Sequence, residues 1–91
     1  MLIVRATLLG SGPESGAAAT ARTVEDILWV HSAPEHGLEH VRARSAPTGI
    51  GVLIFLRADG PDDALAKANS LLMRALAAPA LGRYTAALHL F

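Results

Sequence analysis

The 91 residues contain no cysteine, so there is no disulfide frame, no thiolate metal ligand and no thiol nucleophile. Lysine occurs once, against seven arginines. Aromatic residues are scarce: Trp29, Phe55, Tyr84 and Phe91 are all there are, so any stacking argument must use one of these. Net charge is absent too. Eight basic side chains balance eight acidic ones, which excludes a polycation that binds nucleic acid by bulk charge. No long apolar run exists. The longest, Ile50–Leu56, holds seven residues where a membrane helix needs about 20. The start Met-Leu-Ile-Val-Arg carries a charge at Arg5 and its apolar run stops at Gly10. A secretory leader, with basic residues followed by about 7–15 apolar ones, is therefore not expected, and a cytoplasmic protein is.

What is present points to a folded chain. Apolar residues make up 52% and charged residues 18%, which excludes an intrinsically disordered composition. The 18 alanines and the excess of arginine over lysine are what a GC-rich coding sequence produces. One domain over residues 1–91 is expected, because a second core needs more chain. Such a small domain buries only about 60–65% of its unfolded surface, which gives it a reason to pair with a partner.

Four segments alternate in the manner of strands. Residues 2–9, rich in branched side chains, place Leu2, Val4, Ala6 and Leu8 on one face and Ile3, Arg5 and Thr7 on the other. Over 38–46, Val41 and Ala43 oppose His40, Arg42 and Arg44. Over 50–57, Val52, Ile54 and Leu56 oppose Leu53, Phe55 and Arg57. Over 83–91, Tyr84, Ala86, Leu88 and Leu90 oppose Arg83, Thr85, Ala87 and His89. The short link at Ala46-Pro-Thr-Gly49 favours an antiparallel hairpin between the middle two.

Two helices separate the strands. Thr23-Val-Glu-Asp26 resembles a capping box, so the first helix is expected to begin at Thr23, to carry Val24, Ile27, Leu28 and His31 on one stripe, and to end before Pro34. Ala17–Ala21 fit either helix or loop. Asp59-Gly-Pro-Asp-Asp63 is a strong start for the second helix, with Pro61 in its first position and the acids at the positive end of the dipole. Leu65, Ala68, Leu72, Ala75 and Leu76 follow at helical spacing, and Pro79 closes it.

The order βαββαβ resembles the ferredoxin-like fold: an α+β two-layer sandwich, with a four-stranded antiparallel sheet and two helices on one face. The apolar parity would lie beneath the helices. The other parity would form an open face carrying five of the seven arginines, while seven of the eight acids lie outside the strands, Glu39 being the exception. A balanced total thus hides a basic sheet with acidic ends. The candidate contact residues are Arg5, His40, Arg42, Arg44, Leu53, Phe55, Arg57, Arg83 and His89. Leu53 and Phe55 would sit at the middle of that face, an apolar centre ringed by arginine.

Chemistry-bearing motifs are weak by comparison. Gly10-x-Gly12-x-x-x-Gly16 follows a strand but lacks the dinucleotide spacing, and Pro13 and Glu14 work against phosphate binding; a flexible connection is expected. His36-x3-His40 would suit a metal only on a helix, and Gly37 interrupts it. No serine sits in a nucleophile elbow. No catalytic set, metal or cofactor is expected.

Function is read from the open face. The first expectation is a non-catalytic binding or regulatory module that forms a homodimer through this face and takes a protein or small anionic partner. The alternative is a cofactor-free enzyme or carrier of the dimeric α+β-barrel type, acting on an anionic or aromatic metabolite. A single-stranded nucleic-acid binder of the RRM type is the third, disfavoured by the missing aromatic set. Membrane contact is not expected.

Overall fold

Alternating and helical segments appear where the pattern places them. The computed structural model describes residues 1–10, 18–47, 49–82 and 84–91, with the side chains of 18–20 and 46 left aside. The elements are β1 (Leu2–Gly10), α1 (Ala18–His31), a 3-10 turn (Pro34–His36), β2 (Leu38–Ala46), β3 (Gly49–Leu56), α2 (Pro61–Leu76), a second 3-10 turn (Pro79–Leu81) and β4 (Tyr84–Leu90). The sheet order is β2-β3-β1-β4, every neighbouring pair antiparallel. This is the ferredoxin-like βαββαβ sandwich. The glycine loop of residues 10–16 falls, apart from Gly10, outside the described residues.

Period-two alternation decides the faces. Val4, Ala6 and Leu8 on β1 and Ile50, Val52, Ile54 and Leu56 on β3 are buried, together with Val41 on β2 and Tyr84 on β4. Val24 and Leu28 of α1 and Ala64, Ala68, Leu71, Leu72 and Ala75 of α2 close over them. Fully burying a Leu or Ile side chain contributes about 1.5–3 kcal/mol, so this face dominates the stability of so small a chain. Leu90 has the same parity but is 41% exposed, because it ends an edge strand. Trp29, on α1, is 45% exposed and is not a core residue.

Three departures from the sequence pattern have physical causes. First, α1 begins at Ala18, five residues before Thr23, so Thr23 does not cap it. Alanine is the best helix former, and the added turn buries Ala21 in the core. Second, β2 does not alternate evenly. Leu38 pairs Leu56 while His40 pairs Phe55, so Glu39 is the extra residue of a bulge. The bulge lets Leu38 and Val41, three positions apart, both pack on the core. Third, His36 is only 2% exposed. Its Nδ1 accepts the Ala33 N–H at 2.9 Å, and its Nε2 lies 3.3 Å from Ser70 Oγ.

Polar groups tie the ends of the elements. Gly60 N-caps α2 without a side chain, and Asp63 Oδ2 accepts the Asp59 N–H at 2.9 Å instead. That bond, with Lys67 at 3.1 Å, holds the Asp63 carboxyl below its usual range. On the edge strand β2, Glu25 of α1 accepts the Ala43 N–H at 2.7 Å. An outward-pointing donor on the sheet edge is thereby covered. Gly37 turns with φ +63°, and a Cβ there would meet Arg57 O at 2.7 Å. A Cβ on Gly49 would collide with the carbonyl oxygen of Leu8. Among the described residues no helix is long and apolar enough to cross a membrane.

Ile54→Ala and Leu72→Ala should each cost about 2–4 kcal/mol, since both side chains are enclosed. Met73→Ala, one residue further round α2 at 60% exposure, should stay within about 0.5 kcal/mol. Gly49→Ala should cost about 1–3 kcal/mol by overpacking against β1. Chemical denaturation measures all four, and an unchanged midpoint for Ile54→Ala would reverse the face assignment.

Candidate functional site

The sheet face away from the helices carries the charge. Register places its side chains in rows across β4, β1, β3 and β2. One row runs His89, Arg5, Leu53, Arg42. The next runs Ala87, Thr7, Gly51, Arg44. On the other side of the arginine row lie Ile3, Phe55 and His40, and the Phe91 N–H donates to Ile3 O at 3.1 Å just beyond β4. Arg5 and Arg42 therefore stand about 10 Å apart at their Cα atoms, on either side of Leu53.

These rows enclose a groove of about 590 Å³, lined by Arg5, Arg42, Arg44, Leu53, Phe55, Phe91 and the backbone around Gly51. Leu53 and Phe55 are half-buried; the three arginines are exposed. The His40 ring tilts against Phe55, with centroids 5.4 Å apart and planes at 54°. Phe55 lines the groove and His40 of β2 backs it from outside.

Electrostatically the groove is one-signed. Among the described residues the ion pairs are Arg57–Glu39 at 3.7 Å and Lys67–Asp63 at 3.1 Å. Arg5, Arg42 and Arg44 belong to neither. A wider depression of about 680 Å³ opens at the far end of the sheet, where Arg57 and Lys67 contribute. Its cations are already engaged, Lys67 also donating to Arg57 O at 3.1 Å. Among the described residues, the open-face groove and not this depression holds positive charge without an acidic partner.

Of the residues singled out in the sequence, Arg5, Arg42, Arg44, Leu53 and Phe55 meet in the groove, His40 packs on its wall and His89 flanks Arg5. Arg57 does not join them. It lies one residue past the end of β3, and the bulge brings Glu39 to it. Arg83 lies outside the described residues. Sequence reasoning missed Phe91 and Gly51. Continuing the alternation by one residue would have put Phe91 on this face, and a glycine in mid-strand is itself the signal of a gap in the row.

His36 and His40 do not form a metal pair. His36 spends both ring nitrogens on Ala33 and Ser70, while His40 lies against Phe55. Among the described residues no group of three or more His, Asp or Glu could hold a metal ion. Comparison with protein-family models, curated proteins and solved structures finds no match to this chain.

If the groove arginines have no structural partner, Arg42→Gln and Arg44→Gln should leave stability within about 0.5 kcal/mol, or raise it slightly in low salt by relieving like-charge repulsion. Thermal denaturation at two ionic strengths reads this. A loss above about 1 kcal/mol would show that the arginine is anchored within the fold.

Proposed function

We propose that this chain is a small binding module that acts by contact: its open sheet face closes against a second copy and holds an anionic partner between them. The observation that carries the reading is the groove itself, three arginines with no acidic partner among the described residues, set around the half-buried Leu53 and Phe55. Arginine and aromatic side chains are the usual anchors of protein contacts, and their aliphatic and ring surfaces gain when water is excluded.

Symmetry joins the two halves of the proposal. In a twofold pair the same face meets itself, so Arg5, Arg42 and Arg44 of one copy approach those of the other. Without a negative charge between them that approach is repulsive. An anion held in the groove removes the repulsion, so self-association and anion binding should be linked and each should strengthen the other.

A second reading has one observation in its favour. His89 stands directly across β1–β4 from Arg5, so an imidazole borders the groove. A cofactor-free enzyme or carrier of the dimeric α+β-barrel type would use the same enclosure with His89 as general acid or base. Mass spectrometry of the bound ligand over time separates the two, since only the second changes it, and His89→Ala would stop that change.

Light scattering tests the self-contact. The wild-type chain should be a dimer, and Phe55→Asp should weaken it at least about tenfold by placing a charge at the centre of the contact. A wild-type chain that stays monomeric at high concentration, both alone and with excess anion, rejects self-association. A dimer untouched by Phe55→Asp moves the contact to another surface.

A further inference from the structure

We infer that the groove takes a small organic carboxylate, its head over Gly51 and its aryl or acyl body along Leu53 and Phe55. The inference rests on the open face being the contact surface and names the chemistry of what it contacts.

The gap at Gly51 is the starting point. A Cβ built there meets nothing nearer than Arg44 O at 4.0 Å, so the missing side chain leaves a dent that opens outward. Thr7 and Arg44 are its neighbours across the strands. Arg5 and Arg42 stand one row away on either side of Leu53. A carboxylate in the dent is thus within the compass of three guanidiniums and a hydroxyl. The planar fork of arginine suits a carboxylate, which it can bind through two parallel hydrogen bonds.

The rest of the groove selects against a bare anion. Moving away from the dent, the floor becomes Leu53 and then Phe55, with Phe91 at the side, 72% exposed. An inorganic anion would leave these surfaces in water. An apolar body attached to the charge would cover them, and aromatic rings add offset or edge contacts with Phe55 and Phe91. The volume, about 590 Å³, lies within the range of small-molecule sites.

Calorimetric titration of the full chain with sodium 2-naphthoate, neutral 2-naphthalenemethanol and inorganic phosphate tests the assignment. Naphthoate should saturate with no more than one molecule per chain and bind at least about tenfold more tightly than either comparator. Arg5→Gln and Arg42→Gln should each weaken it about tenfold or more, while Arg74→Gln, on exposed α2, should not. Gly51→Val is the sharpest variant. Valine suits a strand and fills open space, so the denaturation midpoint should hold or rise while naphthoate affinity falls at least about tenfold.

Unchanged naphthoate binding by Gly51→Val overturns the placement of the head. Phosphate binding as tightly as naphthoate overturns the apolar body. Displacement of naphthoate by oligouridylate, with affinity falling steeply in salt, overturns the small ligand in favour of single-stranded nucleic acid. If Phe55→Asp splits a dimer but naphthoate does not bind, this inference falls and the contact surface stands. Should naphthoate bind as described to a monomeric wild type, the site stands and self-association falls.

Discussion

Val4 faces Ile54, Ala6 faces Val52 and Leu8 faces Ile50 across the two central strands, at the centre of a core that α1 closes along β2 and α2 closes over β4 and β1. The constraint is geometric. Successive strand residues point to opposite sides, so a one-residue slip between β1 and β3 would turn this entire apolar set outward. With the register fixed, α1 and α2 have only one surface on which to bury Leu28, Leu71 and Leu72. The open face then follows without further choice. Its composition is whatever the alternate positions hold, and here they hold arginine.

Placing both helices on one side has an electrostatic result. Most of the described acids sit at the ends and on the helices: Asp59, Asp62 and Asp63 around the start of α2, Glu25 spent on the edge of β2, Glu35 in the turn before it; Glu39, at the bulge of β2, is paired with Arg57. The cations of β1 and β2 stand on the bare sheet. A chain of zero formal charge therefore presents a cationic face. The separation is tolerable because exposed arginines keep their charged heads in water and can lay their aliphatic stems over neighbouring apolar surface. A ligand that brings its own charge and its own apolar surface meets both halves of that arrangement.

The period of two was the readable part of the sequence, because burial on one face writes it directly into residue order. It located Val4, Ile54 and Tyr84 in the core and Arg5, Arg42 and Phe55 outside it. Features set by contacts between distant segments were harder. The start of α1 depends on Ala21 finding the core, which local capping signals at Thr23 do not report. The bulge at Glu39 was hinted at only by Leu38 and Val41, two apolar residues at a spacing no regular strand can place on one face. The hydrogen bonds of His36 join it to Ser70, 34 residues away, and no local pattern predicts such a pairing. Arg57 left the expected cluster because β3 ends one residue earlier, at Leu56.

Two glycines, Gly49 and Gly51, occupy the same strand two positions apart, and they are held by different forces. Every single-base change that alters a glycine codon's meaning to another residue adds a side chain. At Gly49 that side chain has a carbonyl in its way, so the fold itself opposes the change. At Gly51 it has open space, so the fold is indifferent. In a lineage drifting under selection for folding alone, Gly49 would persist while Gly51 was replaced by the branched residues that strands prefer. The two glycines thus differ in what a new side chain would cost: packing against β1 at Gly49, and only the space beside the arginines at Gly51.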